Sequence, residues 1–165
     1  MICRYGWQIS PTDCALVSLL VQYTHKPVRV NDTDEATMII IGWGDWDEQI
    51  MVWQVRGEWT ADQLEEALKE GFARMSLTSK PVIGLLDMRA TDEVPVDLLT
   101  TAITTAGYIP SNLVMLIVIG APDIWQGLTQ TIQRVFAARD VGIYATPSTQ
   151  EAYRIVHDFL HADGD

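Results

Sequence analysis

Two runs, "PVIGLLD" at 81–87 and "NLVMLIVIG" at 112–120, are almost unbroken in apolar side chains. A strand with one wet face alternates apolar and polar residues. A strand that is apolar at nearly every position must be covered on both faces, as in a parallel sheet with helices packed against it. These two runs therefore predict the centre of such a sheet, and the segments around them must supply its covering helices.

The flanking segments have that character. "TADQ" at 60–63 is a capping-box signature, and Leu64, Ala67, Leu68, Phe72 and Met75 then recur at helical spacing with Glu65, Glu66, Lys69 and Glu70 opposite. Pro95 stands where a first helical turn begins, followed by a stripe of Leu98, Leu99, Ala102, Ile103 and Ala106. Pro122 and Asp123 open a third helix with Ile124, Leu128, Ile132, Val135 and Phe136 on one side. "VGIYAT" at 141–146 is a short strand, and "STQE" at 148–151 is a second capping box leading into a last helix through Ala152, Ile155, Val156 and Phe159. Ahead of all this, "MIIIGW" and "QIMVWQVRG", separated by "GDWDE", read as a β-hairpin. The expectation is an α/β fold: a mixed, mostly parallel sheet with four helices, entered by a β-hairpin.

A chain of 165 residues, 48% of them hydrophobic, is the size of one domain with a substantial core. The regular alternation starts at Met38. The polar stretch at 25–37 is the best linker candidate, which gives an N-terminal extension at 1–37, a domain at 38–162 and a tail at 163–165. Within the extension, "ALVSLLVQY" at 15–23 is too short to span a bilayer and has no signal-peptide flanks. An extra strand or short helix packed on the domain, a poorly ordered extension and a start at Met38 all remain open for it. Eleven basic residues against 22 acidic leave a net charge of −11, which disfavours nucleic acid and anionic lipid as partners. Two cysteines, Cys3 and Cys14, are too few for a zinc site and point to a reducing, cytoplasmic compartment.

Three stretches carry a family resemblance: "VWQVRGEWTADQLEEAL", "KPVIGLLDMR" and "ATPSTQEAYRIV". With the order of elements over 38–160, they resemble the STAS domain of sulfate transporters and anti-sigma factor antagonists. The resemblance implies a STAS-like sheet and a non-catalytic module that binds protein in cytoplasmic signalling, through a partner or by self-association as a homodimer. In signalling members of that family, an Asp-Ser pair follows the second buried strand, and phosphorylation of the serine controls partner binding. Here Val96 falls at the serine's place when counted from Asp87, and Leu98 when counted from Asp97. Neither accepts phosphate. Thr91 is the nearest upstream hydroxyl and a weak substitute.

Asp87 has competing readings. A receiver-type phosphoacceptor also ends a buried strand, but it needs an acidic pair and a lysine at other strand ends, and "VWQVRG" and "VMLIVIG" supply neither. The favoured reading is structural, with the carboxylate accepting N–H groups of the following turn and Arg89 as its charge partner. No G-x-S-x-G elbow or catalytic triad is evident, so no catalytic residue and no cofactor is expected. His157 and His161 have a metal-binding spacing on the last helix but lack a third ligand, so no metal site is expected. Among the tryptophans, Trp43, Trp46 and Trp59 lie near turns; most read as core or hairpin packing, and a subset exposed on the hairpin would anchor a partner. The competing function class is a small-ligand binder or an enzyme using the strand ends around Asp87, Arg89 and Gly120, the last preceding a helix N-terminus.

Overall fold

The computed structural model describes residues 28–29, 38–44, 48–91, 93–120 and 124–161. Their elements run β1 (Val28–Arg29), β2 (Met38–Trp43), β3 (Ile50–Gly57), α1 (Ala61–Met75), β4 (Val82–Thr91), α2 (Leu98–Thr105), a 3-10 turn (Ala106–Tyr108), β5 (Leu113–Ile119), α3 (Ile124–Ala137), β6 (Gly142–Thr146) and α4 (Thr149–His161). Cys3, Cys14, the run at 15–23 and Trp46 lie outside the described residues.

The strands make one six-stranded sheet in sequence order, β1-β2-β3-β4-β5-β6. β1 and β2 pair antiparallel, as do β2 and β3, and each later pair is parallel. Among the described residues the fold is thus α/β with a mixed sheet, four helices and a hairpin entry. Crossovers of one hand that always step the same way across a sheet return each helix to the same face. Accordingly α1, α2 and α3 share one core with Ile39, Ile41, Met51, Trp53, Val55, Leu86, Met88, Leu116 and Val118. The opposite face carries Ile50, Ile83, Leu85, Met115, Ile117 and Ile119, with Ala152 and Val156 of α4 packed on it.

Local chemistry sets the elements. Both arms of the first capping box form: Thr60 Oγ1 accepts the Gln63 N–H at 3.2 Å and Gln63 Oε1 accepts the Thr60 N–H at 2.9 Å. Lys69 and Arg74 pair with Glu65 and Glu70 one turn back, on the wet side of α1. The second box closes only halfway. Ser148 Oγ accepts the Glu151 N–H at 3.2 Å, but the Glu151 carboxylate turns to the buried Thr146 hydroxyl at 2.9 Å instead of the cap backbone.

Four expectations need correction. The sheet begins before Met38, because Val28 and Arg29 pair with Ile41 and Ile40, so the supposed linker at 25–37 contains a strand. β4 does not end at Asp87 but runs to Thr91. Pairing with β5 stops at Asp87–Ile119, while β3 continues alongside through a bulge between Gln54–Asp87 and Arg56–Ala90. The apolar stripe of α2 is also shifted, with Thr101 and Thr105 buried and Ile103 exposed. Thr105 donates its hydroxyl to the Thr101 carbonyl at 2.8 Å, so it presents a methyl to the core without an unpaired donor. Finally, Trp59 is no surface anchor. It is buried, and its indole N–H donates to Thr91 Oγ1 at 2.9 Å.

Candidate functional site

Asp87 and Arg89 are two residues apart on β4, so both side chains leave the same side of the strand. Asp87 Oδ1 accepts the Arg89 backbone N–H at 3.1 Å and Arg89 Nε–H at 2.9 Å, while Oδ2 accepts Arg89 Nη2–H at 2.7 Å. The carboxylate is 13% exposed and the guanidinium side chain 48%, so the pair sits at the boundary with water. Hydrogen bonding to Asp87 raises the Arg89 guanidinium further above its ordinary range, against the opposing effect of burial. With three charge-assisted or backbone bonds on its two oxygens, Asp87 has most of its roughly four acceptor sites committed to its own strand.

Gly120 closes this cluster from β5. Its φ is +70°, a conformation that disfavours side chains, and a Cβ there would lie 2.3 Å from Arg89 Cγ. Its N–H donates to the Thr146 carbonyl at 2.8 Å, which tethers the end of β5 to β6. Tyr153 of α4 feels both charges. Burial pushes its phenol up to about 12, the negative charge of Asp87 adds to that, and Arg89 opposes it. The phenol therefore stays protonated at neutral pH. The structure brings Asp87, Arg89 and Gly120 together, as the ligand or enzyme reading requires, but the acid is tied to Arg89 and the neighbouring phenol is held neutral.

An apolar hollow lies elsewhere in the fold. A cavity of about 50 Å³ lies under α2, between Leu64, Phe72, Leu86, Leu98, Val118 and Phe136. Its walls are apolar apart from Thr101 and Thr105. Small-molecule and cofactor sites usually enclose roughly 300–1,000 Å³ with several convergent polar groups. This one is far smaller. Among the described residues no three His, Cys, Asp or Glu side chains converge on a point where a metal ion could sit. The His157 and His161 rings stack at 4.2 Å between centroids and 17° between planes, with His161 Nδ1 donating to the His157 carbonyl at 2.8 Å. Among the described residues no helix is long and apolar enough to cross a membrane.

The connection from β4 to α2 is different in kind. Val96, at the place where the resemblance puts a serine, is fully exposed at 103% relative accessibility. Ile103, seven residues on and within α2, is 50% exposed. Leu99 between them is half-buried, Val94 packs against the core, and the acidic Glu93 and Asp97 flank Val96 in the open. Thr91, the alternative hydroxyl, is half-buried and already accepts the Trp59 indole N–H. Trp43 is half-buried at the end of β2 and packs against the core. The Val96–Ile103 surface escaped the sequence reading, which placed Ile103 on the buried stripe. The signal was present only as the hydrophobicity of Val96 in an otherwise acidic loop. Compared with known proteins, the chain matches no family model, no curated protein and no solved structure.

Proposed function

We propose that this chain is a non-catalytic, STAS-like protein-interaction module of cytoplasmic signalling, and that it binds its partner through the exposed apolar surface of Val96 and Ile103. The observation that carries this reading is the full exposure of Val96 at the head of α2. An isolated exposed valine is ordinary on a protein surface, but Ile103 of the α2 helix that follows is exposed as well. In the resembled family the same position holds the serine whose phosphorylation controls association. Here a constitutive apolar contact replaces that switch. Glu93 and Asp97, and a net charge of −11, fit a partner whose apolar patch has a basic rim. The state of Asp87 agrees with a scaffold role, since its carboxylate is bound by Arg89.

The test compares protein captured from the source organism by the native chain, by a Val96→Glu/Ile103→Glu variant and by a Leu77→Glu variant. Leu77 is equally apolar and 88% exposed, but it lies in the turn after α1. A partner held by the native chain and the Leu77 variant, and lost by the Val96/Ile103 variant, supports the reading. A dimer that dissociates with the same substitutions identifies a second copy as the partner. Capture insensitive to Val96 and Ile103 but abolished by Asp87→Asn moves the function to the strand ends.

A further inference from the structure

β6 ends the strand order, and among the described residues no strand lies beyond it. An open strand edge is a template for pairing with another chain, and proteins that keep it free blunt it with charges, a proline, a bulge or extreme shortness. The opposite edge is blunted, since β1 is only two residues long. β6 carries none of these devices. Its sequence, "GIYAT", has no charge and no proline, and its pairing with β5 runs from Met115–Gly142 to Ile119–Thr146 without a shift.

The hydrogen-bonding groups of this edge select one mate and one register. Thr146 turns its carbonyl inward, where it accepts the Gly120 N–H at 2.8 Å. Residues of a strand alternate in direction, so Gly142, Tyr144 and Thr146 bond toward β5 while Ile143 and Ala145 point their N–H and C=O groups outward. The outward row stops on either side. The Val141 N–H already donates to the Phe136 carbonyl at 3.2 Å, and Pro147 has no N–H. A second β6, antiparallel about a two-fold axis at Tyr144, sets Ile143 of each copy against Ala145 of the other and satisfies all four groups. Slipped by two residues either way, the pairing would set Ala145 against Val141 or Ile143 against Pro147 and lose a bond.

Side chains and charge fit a second copy as well. Ile143 packs toward the α1–α3 core, so Tyr144, 45% exposed, stands on the α4 face. Across the two-fold axis it meets its own counterpart as a non-hydrogen-bonded pair, the kind in which side chains approach most closely. α4 packs on both β5 and β6. Its Tyr153 feels Asp87 and Arg89 and so marks the flank turned to β4. Ile155 and Phe159, one turn apart on the other flank, therefore lean toward the open edge, and Phe159 is 39% exposed. With strands about 4.8 Å apart, a helix axis between β5 and β6 lies about 5 Å from the two-fold axis. Two copies of α4 then stand about 10 Å apart, the spacing of packed helices. Residues 141–149 include no acidic side chain, so a chain of net charge −11 can approach its own copy there.

We propose that this chain forms a two-fold homodimer by antiparallel pairing of β6 with β6, which joins two sheets into one and packs Ile155 and Phe159 against their counterparts. This surface is separate from Val96 and Ile103, and the inference does not rest on the binding reading. Sedimentation equilibrium of the full chain should show a monomer–dimer equilibrium. Ala145→Pro removes an outward N–H but no bond to β5, and Phe159→Glu puts a charge at the helix contact. Each should weaken the dimer by at least about tenfold, while Val96→Glu/Ile103→Glu leaves it unchanged. Phe159→Glu alters an exposed helix position and reads the contact even where Ala145→Pro fails to fold. Disulfide formation in a Cys3→Ser/Cys14→Ser background reads the register. Tyr144→Cys brings two Cα atoms to about 4.5 Å, within disulfide reach, so it should crosslink at least about tenfold faster than Ile143→Cys, whose counterpart is Ala145. A chain monomeric up to about 1 mM overturns the proposal. So does a dimer indifferent to Phe159→Glu, a dimer lost in the Val96/Ile103 variant, or equal crosslinking from 143 and 144.

Discussion

Gly71→Ala sets two known effects against each other in the core. Gly71 lies inside α1, where alanine is worth about 1 kcal/mol more than glycine by helix propensity alone. The space beside it is taken, however. A Cβ at Gly71 would lie 2.2 Å from Cζ2 and 2.7 Å from Nε1 of Trp53, a fully buried ring. That ring is held on three counts. It is inside the core, its Nε1–H donates to the Ala67 carbonyl at 2.8 Å, and it meets Phe72 edge-on at 5.9 Å and 80°. Displacing it overpacks the core at about 1–3 kcal/mol. Pulling its N–H off Ala67 leaves a buried donor without an acceptor, at about 1–3 kcal/mol more. Less the propensity gain, a net loss of about 1–5 kcal/mol is expected. Urea unfolding followed by circular dichroism reads it as a lower midpoint at unchanged slope. Gly107→Ala is the control, because nothing lies within 4 Å of its added Cβ, and it should be neutral or slightly stabilising. A Trp53→Phe background should remove much of the Gly71→Ala penalty, a coupling of about 1 kcal/mol or more in a double-mutant cycle. A Gly71→Ala protein more stable than its parent would refute the account of this packing.

Two other perturbations follow from the strand ends. Asp87→Asn keeps an acceptor for the Arg89 N–H but loses the charge that holds the guanidinium. It should lower stability by about 1–2 kcal/mol, given the exposure of Arg89, and leave partner binding intact; unchanged melting with binding or turnover lost would place Asp87 in an active site. Tyr153 keeps its proton to about 12 in the fold, whereas the unfolded chain releases it near 10, so its contribution is complete below about pH 10 and is lost as the pH rises to about 12. Alkaline unfolding curves of native protein and Tyr153→Phe should converge over that window by about 2–3 kcal/mol, and parallel curves would contradict the burial of the phenol.

The parts of the fold legible in the sequence were those written in local pattern. "PVIGLLD" and "NLVMLIVIG" became neighbouring central strands because nothing but two-sided burial suits them. Thr60 and Gln63 announced α1 because both arms of a capping box lie within four residues. Arg89 was legible as the partner of Asp87 because residues i and i+2 share one side of a strand. What stayed hidden depended on distant groups. Val28 and Arg29 carry no strand signal of their own and are ordered by pairing with β2. "MRAT" continues β4 although half polar, since only β3 flanks it there. Glu151 left its expected cap for Thr146, a hydroxyl contributed by the end of β6. Thr101 and Thr105 took the inward positions and left Ile103 exposed, and Thr105 can face inward because its hydroxyl is bonded to its own helix. The approach of Gly120 to Arg89 needed the sheet itself.

Photo-crosslinking from position 96 tests the binding account most directly. A photoreactive residue at 96, and another at 77 in a separate chain, sit at two fully or largely exposed apolar positions at different places on the surface. In host cells, position 96 should give one discrete adduct that disappears when Ile103→Glu is added, while position 77 gives none. Adducts of the same protein from both positions, or an adduct at 96 indifferent to Ile103, would contradict a partner surface built on Val96 and Ile103.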